Sequence, residues 1–270
     1  MGGDPSRYLA TYDEQLRTDA ETPSAIEVVH LGPLRLVTFA GGRGFVTYRD
    51  LDHADAPTIA RWVEQTLDHY RVRPEINRVE WKTRGHDHAP GLHEALTRRG
   101  FVADEPESIM VGEAALLDVD VPLPDGVRLR KVSTPEDVRA MSEMQALVFG
   151  TDDAAEVAEA LLRRLESGDG MELWVAVAHA ELAGARGGIV SAGRLEPVAG
   201  TDFAGIWGGA TLPQWRGRGI YRALTAARAR SALALGKTLI NSDSTEFSRP
   251  ILERSGLVKV STTTPYLWRR

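Results

Sequence analysis

Between a run of strand-forming residues ending at Thr211 and a helix-forming run that starts at Ile220 lies the hexapeptide Gln214-Trp215-Arg216-Gly217-Arg218-Gly219. A strand that hands over to a helix through so short a turn sets the helix N-terminus close to the strand end. There the unpaired N–H groups and the positive end of the helix dipole favour an anion, above all a phosphate. Gly217 and Gly219 can take backbone angles closed to other residues and let a diphosphate lie against the main chain, while Arg216 and Arg218 add charge. No Gly-Lys-Ser/Thr follows, so this is not a Walker loop.

The pattern on either side places the turn in a mixed α/β domain. Val127–Val132 reads as a strand, Thr134-Pro135-Glu136-Asp137 as the capped start of a helix reaching Phe149, and Asp153–Leu165 as a second helix. Strands are expected over Glu172–Ala178, Leu182–Ala192 and Phe203–Thr211, joined by His179-Ala180-Glu181 and Glu196–Thr201. Beyond the turn come a helix over Ile220–Leu235, the strand Thr238–Ser242, a helix near Phe247–Arg254, and strand material through Trp268. On the first of these helices Ile220, Ala223, Leu224, Ala227 and Ser231 share one arc, with Arg222 outside it.

A chain of 270 residues is long for one core, since domains usually fall at roughly 100–150 residues. Val119–Gly126, with Pro122, Pro124 and Gly126 among alternating acids, is the expected linker. Before it, residues 1–25 read as an arm with one short helical stretch through Tyr8, Tyr12 and Leu16. Residues 26–118 then give a meander (Ile26–Leu31, Leu34–Ala40, Phe45–Tyr48), a helix over Ala56–Tyr70, a strand at Arg78–Lys82, a helix near Pro90–Arg99 and a strand at Ser108–Val111. The expected division is thus 1–25, 26–118, 119–126 and 127–270.

Composition narrows the function classes. Thirty-eight acidic against thirty-two basic residues give a net charge of −6, which disfavours nucleic acid as a partner. The sequence has no Cys, which excludes disulfides, thiolate metal sites and a Cys nucleophile. No apolar run approaches the eighteen or so residues of a membrane span, so no membrane partner and a cytoplasmic address are expected. His86, His88 and His93 are split by Pro90-Gly91 and read as surface-loop histidines rather than a metal site.

The stretch Gly208-Gly209-Ala210-Thr211-Leu212-Pro213-Gln214-Trp215-Arg216-Gly217-Arg218-Gly219-Ile220-Tyr221 resembles the cofactor motif of the GNAT superfamily of N-acetyltransferases, Gln/Arg-x-x-Gly-x-Gly/Ala, with Gln214, Gly217 and Gly219 in its fixed places. The element order over Val127–Arg270 is similar to that superfamily's too. So is Ile251–Leu257 near the end, and Arg78–Val111 resembles the tail of a second, degenerate copy. The resemblance implies an α+β fold with a twisted, mostly antiparallel sheet flanked by helices, in two GNAT-like domains. It implies acetyl-CoA as cofactor, its pantetheine arm on the backbone of Ala210, Thr211 and Leu212 and its pyrophosphate wrapped by Arg216–Tyr221. The expected cofactor-binding set is Ala210, Thr211, Leu212, Gln214, Trp215, Arg216, Gly217, Arg218, Gly219, Ile220 and Tyr221, with Trp215 able to stack on the adenine and Ser244 and Ser248 beside the cofactor edge. Asp50–Ala56, ahead of the other long helix, offers neither Gly nor Arg, so one cofactor per chain is expected.

Amine acetylation needs a deprotonated amine, a polarised thioester and a proton for the departing thiolate. Many GNAT enzymes place a Tyr four residues before the Gly of the last helix, where this chain has Leu252. Tyr266, Ser244, Ser248 or water are the substitutes as acid, and Tyr266 could equally be a packed aromatic beside Trp268. Asp243 and Glu172, with Glu246 behind them, are the candidate bases, or else capping acids. The resulting expectation is an N-acetyltransferase for a small-molecule or peptide amine, monomeric or homodimeric. A non-catalytic acyl-CoA-binding scaffold and an aminoacyl or peptidyl transferase of tandem-GNAT build stay open beside it.

Overall fold

The structure, a computed structural model, describes residues 3–179 and 188–270. The expected strand Leu182–Ala192 and the turn before it therefore fall partly outside the described residues. The chain divides into two compact units that are not contiguous in sequence. The first comprises Gly3–Met110, Asp243–Arg249 and Lys259–Arg270, and the second comprises Val111–Ser242 and Pro250–Val258.

In the first unit, helix α1 (Pro5–Leu16) is capped by Asp4 and buries Tyr8, Tyr12 and Leu16, one side of a helix at spacing four. Strands β1 (Glu27–Leu31), β2 (Leu34–Phe39) and β3 (Arg43–Thr47) form an antiparallel meander. Helix α2 (Ala56–Arg71) then returns the chain to β4 (Arg78–Arg84), which lies parallel to β3. Ile59, Val63, Thr66, Leu67 and Tyr70 are its buried stripe, and Tyr70 places its hydroxyl between the carbonyls of Val37 and Phe45. Helix α3 (Leu92–Arg98) and the short β5 (Val102–Ala103) complete the unit's N-terminal part, and β6 (Glu107–Glu113) leads out of it.

The second unit opens with the short helix α4 (Ala114–Leu117), a single turn too brief to show a period in the sequence, followed by β7 (Val127–Val132). Helices α5 (Pro135–Phe149) and α6 (Ala154–Ser167) precede β8 (Glu172–Ala178), β9 (Gly188–Pro197) and β10 (Phe203–Thr211). Strands β7 to β10 are antiparallel in sequence order, and β11 (Leu239–Ser244) joins β10 in parallel. Helix α7 (Ile220–Ala234) makes the crossover and packs on β8, β9 and β10. Val138, Met141 and Met144 of α5 and Ala158 and Leu161 of α6 fill a core with Leu173, Val175 and Ala192 on one face of this sheet. Helix α8 (Arg249–Arg254) buries Leu252 completely.

The terminal strand β12 (Val258–Arg269) does not stay with the residues that precede it in sequence. From Lys259 it belongs to the first unit, where it runs antiparallel to β4 from Thr263↔Arg84 to Arg269↔Arg78 and also pairs with β5. Tyr266 and Trp268 thereby enter the core of Leu34, Trp81, Leu96 and Phe101. A strand settles where its backbone groups and inward side chains find partners, and alternation in the sequence does not say which neighbour that is.

Candidate active site

In the second unit the parallel register of β10 with β11 covers only Phe203↔Leu239, Ala204↔Ile240 and Gly205↔Asn241, whereas β10 continues to Thr211. The two strands part after Gly205. On its other side β10 stays with β9, and its register shifts between Trp207 and Ala210, at Gly208 with φ +61°. The N–H of Leu212 bonds Val190 of β9, so by strand alternation the backbone of Thr211 faces the side from which β11 has departed. Ser191 fixes this edge by donating to the Ala210 carbonyl at 2.7 Å and meeting the Thr211 hydroxyl at 2.8 Å.

A single 3-10 turn, Pro213–Trp215, ends the strand. Trp215 is buried with Val127, Ala176, Ala178, Val190 and Ile220, and Arg218 lies over its ring at 5.0 Å. The indole anchors the turn to the sheet. Arg216 folds back to donate to the Thr211 carbonyl at 3.0 Å. Gly217 and Gly219 have φ of +73° and +77°, and Gly219 is the N-cap of α7. Among the described residues no side chain caps this helix and no acid stands in its first turn, so the first N–H groups of α7 are open to a ligand oxygen. Gln214, Arg216, Gly217, Arg218 and Gly219 are exposed around it. The side chains of Ile220 and Ala210 are buried, which leaves only their backbone for a ligand. Tyr221 lays its ring on β10, where a Cβ at Gly209 would come within 2.6 Å of it.

The corresponding position of the first unit differs in charge. Helix α2 likewise follows a strand of a parallel pair, but the Asp55 carboxylate accepts the N–H of Thr58 at 2.9 Å. Asp50 and Asp52 precede it. An anion would meet a capped terminus and three carboxylates. The end of β3 is also taken: Arg17 donates to the Tyr48 carbonyl, Glu21 accepts from Thr47 at 2.7 Å, and Glu21 is ion-paired to Arg84 and, at 3.8 Å, to Lys82. Arg17 and Glu21 come from the N-terminal arm, Glu21 from its 3-10 turn Asp19–Glu21.

The expected catalytic residues do not gather in one unit. Glu172 is in the second, where Lys131, Trp174 and Ser231 all donate to it at 2.5–2.8 Å. Burial raises its proton affinity, but those three hydrogen bonds outweigh it and hold the carboxyl below its ordinary range. An acid so fully engaged ties β8 to β7 and α7 and is a poor base. Asp243 falls in the first unit, ion-paired to Lys82 at 2.7 Å. Tyr266 falls there as well, its hydroxyl 2.7 Å from His93 Nδ1 and its proton affinity raised by burial and by Glu94. Ser244 and Ser248 also belong to the first unit, Ser248 donating to the Thr245 carbonyl, and Glu246 pairs with Arg249 at 2.8 Å.

Two features escape the sequence pattern. Glu107 of the first unit has a carboxyl pushed up to about 7 by burial and by Asp243, with Asp104 and Glu80 adding to the rise against Lys82. Arg228 of α7 is 1% exposed and bonds Leu224 O, Arg194 O and Thr225 Oγ1. A helical wheel treats an arginine as solvent-facing, and nothing local marks this one as buried.

No protein-family profile and no curated protein sequence matches the chain. Solved structures do. A GCN5-related N-acetyltransferase from Kribbella flavida superposes with a TM-score of 0.63 at 17% identity over 98% of this chain and 95% of its own. A tandem GNAT protein from the clavulanic acid biosynthesis pathway gives 0.61 at 14% identity over 100% and 97%. A GCN5-related N-acetyltransferase from Sphaerobacter thermophilus gives 0.59 at 14% identity over 99% and 94%. The fold is that of the GNAT acetyltransferases, and the likeness spans nearly the whole chain of a tandem member.

Proposed function

We propose that the protein is an acetyl-CoA-dependent N-acetyltransferase with one cofactor site, in its second unit. The observation that carries the reading is the uncapped, Gly- and Arg-flanked N-terminus of α7 at the end of a strand that has parted from its parallel neighbour. The α7 N–H groups would hold the pyrophosphate, and the free edge of β10 through Thr211 would hydrogen-bond the pantetheine amides. In the transfer itself the amine nitrogen attacks the thioester carbon, the new C–N bond forms, the C–S bond breaks, and the proton released by the amine ends on the coenzyme A thiol. Backbone N–H groups on the free edge would polarise the carbonyl. The acceptor is the primary amine of a small molecule or peptide. No helix of the described residues is long and apolar enough to cross a membrane.

Calorimetric titration with acetyl-CoA is expected to give one site per chain and a raised melting temperature. Two equal sites, or none, would count against the reading. Leu252, buried where the acid Tyr is expected, favours the scaffold alternative in one respect, since that phenol is missing from the second unit. Cofactor binding without turnover of any amine would select that alternative.

A further inference from the structure

On the face of the second unit covered by α5, Gln145 and Arg194 both reach the Gly208 bulge. Gln145, 6% exposed, donates its amide to the Gly208 carbonyl at 2.5 Å. One turn earlier on α5, Ser142 is 2% exposed, and its hydroxyl has no hydrogen-bond partner among the described residues. Asn241, 5% exposed, stands opposite Gly205 in the last register pair before β10 and β11 separate, and its Oδ1 is likewise unpartnered among the described residues. Cross-strand partners share a sheet face, so Arg194 opposite Trp207, Glu196 opposite Gly205, and Asn241 all point to the α5 side.

Arg194 is fixed in place by an ion pair through one edge of its guanidinium. Its Nε bonds Glu196 at 2.5 Å, Glu196 is also paired to Arg164 at 2.8 Å, and Arg164 to Asp169. Nη1 of Arg194 is directed at the bulge, 3.2 Å from where a Cβ on Gly208 would stand, and Gln145 Nε2 is 2.9 Å from the same point. A side chain at 208 would crowd both groups. Buried polar atoms left without partners are costly, and two of them on the side of the sheet that also carries Arg194 are groups a ligand would satisfy.

Resting on the acetyltransferase reading, we propose that this face binds the acceptor, and that the acceptor is an amine that also carries a carboxylate, an amino acid or short peptide. Arg194 and Ser142 take the carboxylate, the arginine through its terminal fork, and Asn241 Oδ1 accepts from the amine at the mouth where the strands part.

The test uses the whole chain, saturated with coenzyme A, and a panel of α-amino acids and dipeptides, each as free acid and as C-terminal amide. Thermal stabilisation and calorimetry are expected to show at least one free acid bound tenfold or more tighter than its amide. Arg194→Gln removes that preference while leaving coenzyme A affinity near wild type, and Arg194→Lys restores part of it. Equal binding of every acid and its amide, binding of none, or a preference that survives Arg194→Gln overturns the assignment. Coenzyme A titration without the panel reads the cofactor site separately, so its failure is distinguishable.

Discussion

At residue scale the turn rests on Gly217, where φ is +73° and a Cβ would meet nothing within 4 Å. The substitution Gly217→Ala therefore strains the backbone without a clash, a loss of about 1 kcal/mol. If the pyrophosphate lies on this backbone, the methyl group takes its place, and acetyl-CoA affinity is expected to fall tenfold or more. Gly236, with φ +76° and the same empty surroundings beyond the end of α7, supplies the control. Gly236→Ala should lose similar stability in urea and no affinity, and equal affinity losses would remove the turn from the cofactor site. Glu107 gives a pH signature. Its folded proton affinity, near 7, exceeds the ordinary 4.5, so the folded state binds the extra proton between those values and stability falls as pH rises through them. Glu107→Gln is expected to raise stability at pH 8 by about 1–2 kcal/mol after allowing for partial exposure, read from urea midpoints, and to change little at pH 4.5. Gly217 and Gly219 were legible because residue type alone ties two glycines in a strand-to-helix turn to positive φ and a bare backbone. Glu107, Asn241 and Arg194 were not, since their significance comes from which strands lie beside theirs.

At the scale of elements, α2 and α7 make the same crossover between parallel strands with opposite N-termini, one capped by Asp55 and one uncapped behind Gly219. That contrast is legible in Asp50–Ala56 against Gln214–Gly219, and it is the basis for expecting a single cofactor site. The arm was legible only as a short periodic stretch, while its chemistry was not. Arg84 and Glu21 form a buried pair, and Thr47 and Lys82 add to the Glu21 partners. Burial raises the Glu21 proton affinity, but Arg84 and Lys82 outweigh it and the net shift is downward. Its contribution is present above the unfolded value of about 4.5 and is lost as pH falls through the lower folded value. Glu21→Gln leaves Arg84 buried without its acid, a loss expected at about 3–5 kcal/mol near pH 7. Urea midpoints at pH 7 and pH 3.5 test this, because the gap between wild type and variant should narrow at the lower pH. A gap independent of pH would make Glu21 a packing residue.

For the whole molecule the decisive fact is that the last strand sides with the first. Element types along Val127–Arg270 follow the GNAT order closely enough that a cut at the linker looks natural, and chain order alone offers no reason against it. Yet such a fragment carries β12 away from β4, leaving seven register pairs unmade and turning Tyr266 and Trp268 out of the core that buries them. It also discards α4, which packs on α7, the helix that presents the cofactor turn. An unpaired strand with exposed aromatics invites intermolecular pairing. Val127–Arg270 is therefore expected to aggregate, whereas Val111–Val258 keeps α4 and drops the stranded part of β12, and should be the more soluble. Size-exclusion chromatography and acetyl-CoA titration of both fragments decide it. A monomeric Val127–Arg270 with the affinity of the full chain would mean that β12 can fold back on its own half, and that the units divide at the linker after all.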